Sequence, residues 1–407
     1  MGKNIIVMGT LDTRGEEIRY LADQIRKRGH YPKVMDVGVL GQAPFEPSIK
    51  RDEVALAAGT SLKEIISLRH EGRAMSAMAS GAYRILRELY DRKEMDGVVA
   101  AGGSMSTSLA LEAMRHLPLG LPKLVLSTIA FSPLVKPEYV GADMIMMLWP
   151  AGLYGLNRIS RNVLRTAAGV ITGAAETEVE KKGERKKTVG VTSLGTSQQK
   201  FVERLKPALE QRGYDVAVFH TLGMGGQAFE QAIRDGVIDV ALDFSLVELV
   251  DEVTGGATTS GKMRLKAAAE KGIPQIVAAG AISNFFWFAG EPLPPGMEGR
   301  KHHRHNQLLT IVVASTEDKA KVGAMVAERL NQAKGPTAMI IPRKGWIEGD
   351  RDPRSPFHDP QGGEAFSRAF KEGLNSDIRV IELDAHINDP LFTETVIKLF
   401  DEIVVKE

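Results

Sequence analysis

The 407-residue chain contains no cysteine. That absence excludes disulfide scaffolding, thiolate nucleophiles and cysteine-ligated zinc in one step. No uncharged apolar stretch approaches the roughly 18 residues that a membrane-spanning helix needs. The first residues also lack the basic start and apolar stretch of a secretion signal. We therefore expect a cytoplasmic protein without membrane contact. An excess of one charge is missing too: 52 basic and 51 acidic side chains leave a formal +1, so no global field draws nucleic acid or anionic lipid. The balance of 43% hydrophobic and 25% charged residues is that of an ordinary globular protein, neither disordered nor fibrous.

A chain of this length exceeds one compact core and predicts two domains of about 200 residues. Short apolar runs alternate with helical patterns throughout, which argues for an α/β fold of Rossmann-like parallel sheets. The strands predicted in the first half are Ile5–Met8, Lys33–Asp36, Gly97–Ala101, Lys123–Ser127 and Met144–Leu148. Those in the second are Val189–Thr192, Val216–His220, Ile238–Asp243, Gln275–Ala278, Leu309–Val313, Ala338–Ile341 and Arg379–Leu383. Between the halves, ETEVEKKGERKK (Glu176–Lys187) is too charged to be buried, and the domains divide there, into 1–180 and 187–407. A faint echo joins them. The stretch from Lys3 and the stretch from Lys187 align without a gap, pairing Leu21 with Leu205 and Arg28-Gly29 with Arg212-Gly213, and LPKLVLST at Leu121 resembles IPQIVAAG at Ile273. Two related domains facing a cleft account for this, as does the general likeness of all such folds.

Ligands of parallel α/β sheets sit at the carboxyl ends of strands, and two loops of the first half stand out there. One is Gly102, Gly103, Ser104, Met105, Ser106, Thr107 and Ser108, which opens a helix. Glycines let the backbone approach a ligand, the first helix amides point outward at the positive end of the dipole, and the hydroxyls add donors. It lacks the lysine of GxxxxGK[ST] and is not GxGxxG; a capped tight turn explains it as well. Met105 turned inward would plug it. The other loop, GTLDTRGEE, carries Thr10, Asp12, Thr13 and Arg14. Asp12 and Thr13 read as a helix cap, yet Arg14 offers a forked cation for phosphate oxygens and Asp12 a carboxylate for magnesium. Ser127 and Thr128 end the fourth strand beside them. Asp36 ends the second, where nucleotide folds accept a ribose hydroxyl.

Taken together, GTLDTRGEE, GGSMSTSLALEAM with LPLGLPKLVLST, ELVDEVTGG, RHNQ, FHDP and DAHINDP resemble the Tm-one-like ATP-binding family along essentially the whole chain. The family is named after a tomato mosaic virus resistance protein. The resemblance implies two Rossmann-like subdomains, ATP with magnesium (Mg) held by the first, and a tendency to form a homodimer.

Six of nine histidines follow Val216, which directs the search for acid–base chemistry to the second half. His220, His305, His358 and His386 stand at loop or strand-end positions, with Asp389 in the last motif and Asp243, Glu248 and Asp251 after the VALD strand. Such a set suits proton transfer or a metal; FHDP and HINDP are equally loop anchors that bond backbone amides. Gly223, Gly225 and Gly226 form a second glycine turn able to receive a carboxylate or phosphate. NFFWFAG with EPLPPGMEGR reads as a packing loop or a dimer contact. Two functions follow: an ATP-dependent enzyme acting on a small polar substrate at these histidines, or a nucleotide-sensing dimer without turnover that regulates a protein partner. A sugar-nucleotide handler rests on fold analogy alone.

Overall fold

The computed structural model describes residues 2–177, 185–375 and 378–404. Residues 178–184 of the charged junction lie outside the described residues. The chain divides into two compact units, Met1–Lys182 and Gly183–Glu407.

The first unit is a five-stranded parallel sheet, β1 (Asn4–Gly9), β2 (Tyr31–Asp36), β3 (Gly97–Gly102), β4 (Lys123–Ser127) and β5 (Ile145–Leu148), in the order β2-β1-β3-β4-β5. Helices cover both faces, so the inner strands β1, β3 and β4 are buried almost throughout, which is why they read as continuous apolar runs rather than alternating ones. Helices Leu11–Lys27 and Arg158–Glu176 pack on one face with Val7, Val99 and Leu124. Helices Glu71–Asp91 and Ser104–Met114 pack on the other with Ile6, Val98 and Val125.

The second unit repeats this plan. Strands β6 (Thr188–Ser193), β7 (Asp215–His220), β8 (Val240–Asp243), β9 (Gln275–Ala278), β13 (Thr337–Pro342) and β14 (Arg379–Leu383) form a parallel sheet ordered β7-β6-β8-β9-β13-β14. The echoing segments occupy matching places: β6 lies where β1 lies and β9 where β4 lies. Gly29 and Gly213, paired in the alignment, both have φ +87°, a left-handed turn after the helix that favours glycine.

One expectation fails. NFFWFAG is not a loop: β10 (Asn284–Phe288) joins β11 (His302–Arg304) and β12 (Leu309–Val313) in a separate antiparallel sheet ordered β10-β12-β11. Strand β12, expected in the parallel sheet, alternates half-buried and buried residues, the mark of a sheet with one covered face. Phe285 and Phe286 are buried, as core residues.

Beside β8 lies a buried charge cluster. Arg264, fully buried, donates to Glu248 at 2.7 Å, to Glu230 at 3.3 Å and bidentately to Asp243. Asp251 accepts from the Thr258 amide at 3.1 Å, the Thr258 hydroxyl at 3.0 Å and the Phe286 amide at 3.3 Å. These carboxylates hold the fold rather than face a substrate. Burial pushes Glu248 up to about 7 against the pull of Arg264, and lifts Asp251 to about 7 despite its bonds from Thr258. Both therefore keep protons in the folded chain where the unfolded chain, at 4.5 and 3.8, has lost them. The stability they support is full at acid pH and declines as pH rises through 7. Calorimetric melting between about pH 5 and pH 7.5 is expected to show this loss, and Asp251→Asn to reduce its slope by about one proton.

Candidate functional site

Strand β1 lies between β2 and β3, and the helices that follow β1 and β3 cover opposite faces of the sheet. The chain thus diverges at the ends of these two strands and leaves a crevice, the usual ligand position in such sheets. A cavity of about 820 Å³ opens there, floored by Thr10, Asp12, Thr13 and Arg14 after β1 and by Gly103, Ser104, Met105 and Ser106 after β3. The two loops that the sequence singles out are brought together.

The glycine loop leads straight into helix Ser104–Met114, whose cap residue Gly103 has extended backbone and no side chain to accept a bond. The Thr107 amide closes the first turn on the Gly103 carbonyl at 2.8 Å. Among the described residues none accepts from the amides of Ser104, Met105 or Ser106. Met105 lines the cavity wall and is exposed, so it does not plug the notch. Gly102 is required by packing, because a Cβ there would lie 2.3 Å from the Ser106 Cβ.

Arg14 breaks the helical backbone at φ −132°, ψ 20°. Its guanidinium stacks over the Tyr154 ring, 4.6 Å from the centroid, and no ion pair with a described carboxylate engages it. Thr10 and Thr13 share a hydroxyl bond of 2.8 Å, and Thr10 makes no capping bond. Asp12 accepts the Gly41 amide at 3.2 Å through Oδ2, while its Oδ1 is buried without a partner. Thr128 also lines the cavity.

Four expected residues are placed otherwise, Gly102 among them, since it does not line the cavity. Thr107 and Ser127 are buried and bond each other, 2.7 Å between oxygens, with Ser127 also accepting the Ile129 amide at 3.0 Å; they tie helix to strand and do not line the cavity. Asp36 does not line it either. Its buried carboxylate accepts the Leu11 amide at 3.1 Å and the Gly38 amide at 2.9 Å, and burial raises its pKa despite these bonds. It pins the loop after β1. Conversely, the sequence did not single out the apolar wall of Val39, Ile65, Ile66 and Met75, nor Arg69, His70 and the segment Pro150–Tyr154. Arg69, at φ +44° between two helices, shows no local sequence signal beyond a break in the apolar period.

In the second unit the histidines separate. His220 ends β7, at one edge of the sheet, and His305 is exposed in the antiparallel sheet's turn, whereas His358, His386 and Asp389 line a pocket beside β13 and β14, at the other edge. His386 is buried and fully bonded. Its Nε2 faces two acceptors, the Ile347 carbonyl at 2.9 Å and Asp350 at 3.1 Å, and so carries the proton; Nδ1 accepts from the Asn388 amide at 3.0 Å and from Arg351 at 3.1 Å. With no free nitrogen, it holds the loop. Asp389 accepts the His386 amide at 2.9 Å and Arg351 at 3.1 Å; burial opposes its ionisation, but these bonds keep its pKa low. No cluster of three or more metal-ligating side chains occurs among the described residues, and no described helix is long and apolar enough to cross a membrane.

Comparison with known proteins supplies kinship. Residues 3–180 match a model described as the N-terminal domain of an uncharacterised protein family (UPF0261), and residues 186–404 match that family's C-terminal domain. A UPF0261 protein of Brucella suis is 41% identical over 99% of this chain and 96% of its own. The ToMV resistance protein Tm-1(GCR237) of Solanum lycopersicum is 29% identical over 99% of this chain, which spans 56% of the tomato protein. A glycosyltransferase from Streptomyces nogalater aligns over 98% of this chain and 99% of its own at 12% identity with a TM-score of 0.19, too low to bear on the fold.

The two glycines of the notch make opposite demands. Gly102→Ala is expected to lower stability by about 1–3 kcal/mol through overpacking against Ser106. Gly103→Ala, whose Cβ would meet nothing closer than the Thr128 hydroxyl at 3.9 Å, is expected to change it by under about 0.5 kcal/mol. Thermal melting of both variants checks this.

Proposed function

The chain belongs to the uncharacterised protein family UPF0261 over both its units, and from that premise we propose that the first unit binds a nucleotide, ATP with magnesium, in the crevice between β1 and β3. The observation that carries this reading is the set of amides at Ser104, Met105 and Ser106 that find no acceptor among the described residues, at a helix start and beside an arginine with no ionic partner among them. Three donors at the positive end of a helix dipole suit phosphate oxygens. Arg14 adds a planar fork that bonds such oxygens in pairs, already oriented by stacking on Tyr154. The volume of about 820 Å³ lies in the range of sites for cofactor-sized ligands, and Val39, Ile65, Ile66 and Met75 supply an apolar wall for a base.

Magnesium fits one carboxylate. Asp12 Oδ1, buried and unpartnered, would hold it, with water and phosphate oxygens completing a shell for which this ion commonly uses one or two protein carboxylates. Held there, magnesium would supply charge neutralisation for the phosphate oxygens.

The reading is tested by melting with and without millimolar ATP and magnesium, since a ligand of the folded state raises the transition. A shift of several degrees is expected, and its absence sinks the proposal. Arg14→Ala should weaken ATP binding about tenfold, near 1.4 kcal/mol. Asp12→Asn should remove the magnesium dependence while retaining metal-free phosphate binding.

A further inference from the structure

The pocket at the ends of β13 and β14, about 370 Å³, is dense in charge, and almost all of that charge is internally engaged. Lys344 pairs with Asp384 at 2.8 Å, Arg351 with Asp389 at 3.1 Å and Asp359 with Lys319 at 2.6 Å. Buried Asp350 accepts from the Ser283 hydroxyl and the Trp346 amide, at 2.9 and 2.8 Å, besides His386. The backbone passes close over this group at Gly345, φ +127°, where a Cβ would lie 2.2 Å from the Asp350 carboxylate. The pocket is thus shaped largely by groups whose charge is already paired within the protein, Lys344 keeping further N–H donors beside Asp384.

Two groups are without such pairing. Arg343 lines both this pocket and an adjoining one of about 500 Å³. Its backbone is held by an amide bond to the Leu383 carbonyl at 2.9 Å, but its guanidinium has no carboxylate at ion-pair distance among the described residues. His358 presents Nδ1 to the Asp350 carbonyl at 3.0 Å. A carbonyl only accepts, so the neutral ring carries its proton on Nδ1 and leaves Nε2 as an open acceptor. A cation with free donors and an oriented, unprotonated ring nitrogen lie on one cavity.

We propose that this pocket binds a small oxyanion that also carries a hydroxyl, its anionic end on Arg343 and its hydroxyl donating to Nε2 of His358. The forked guanidinium recognises carboxylate and phosphate alike, so the shared chemistry is a hydroxylated anion of either kind. Asp350 and His386 act as positioning residues: the Asp350 carbonyl sets the His358 tautomer, and its carboxylate, locked by His386, sets the carbonyl. The site belongs to the second unit alone and stands or falls independently of the nucleotide reading.

Calorimetric titration of the full chain with malate and with glycerol 3-phosphate distinguishes the two anion classes, with succinate as the anion lacking a hydroxyl. At least one hydroxylated probe is expected to bind, and more tightly than succinate if it is malate. Arg343→Ala should weaken that binding about 10- to 100-fold, as loss of a charge-assisted pair does. His358→Phe should weaken it about tenfold while leaving any succinate binding unchanged. Both side chains are exposed, so the variants should melt as the parent does, and His305→Ala serves as a surface control. Failure of both probes to bind the parent chain overturns the proposal, as does unchanged affinity in Arg343→Ala. Unchanged affinity in His358→Phe overturns the assignment of its Nε2.

Discussion

Amides in the first turn of a helix have no acceptor within that helix, and the strand–helix junctions of this chain answer that constraint in different ways. After β8 the loop amides of Phe244 and Ser245, which precede helix Val247–Thr254, donate to the Thr192 hydroxyl at 2.9 and 3.0 Å, and the Leu246 amide, at that helix's cap position, donates to the Gly280 carbonyl at 2.9 Å. The second glycine turn is closed likewise, because Glu248 accepts the Gly226 amide at 3.0 Å. After β3, in the matching place of the first sheet, no described residue accepts from the amides of Ser104, Met105 or Ser106. The second unit's glycine turn is thereby met by a protein carboxylate, and among the described residues the first unit's is not. The nucleotide reading rests on that difference.

The same distinction orders the charged groups. Arg264 is surrounded by Asp243, Glu230 and Glu248 and has every direction taken; Arg14 and Arg343 line cavities with no carboxylate at ion-pair distance among the described residues. Among the histidines, His386 is bonded at both nitrogens and His358 at one. Residue type marks all of these as candidates for chemistry. Unused bonding capacity separates those that maintain the structure from those able to meet a ligand.

Much of the architecture was legible because parallel strands buried on both faces must be apolar throughout, as in Ile5–Met8 and Gly97–Ala101; twelve apolar runs proved to be strands, though Leu309–Val313 belongs to the antiparallel sheet. Strand β10 escaped because NFFWF, followed by a proline-rich stretch, carries no period that separates a short strand from a packing loop. The loops after β1 and β3 were legible because glycines and hydroxyls at a strand–helix junction have few uses. Arg69, His70 and Tyr154 were not, since they enter the cavity from segments far along the chain. FHDP and DAHINDP look alike on the page, each a histidine before an aspartate, yet one histidine is exposed and the other buried.

By itself the sequence determined the layered α/β plan, the presence of two similar halves and the identity of the glycine-rich junctions, because these follow from local apolar period and backbone freedom. The tertiary structure alone decided that Thr107, Ser127, Asp36 and His386 are internal ties, that Arg14, Arg343 and His358 line cavities, and that Asp12 keeps one buried oxygen without a partner. Whether a polar group is free depends on which distant atoms fold against it, and no local pattern of residues specifies that.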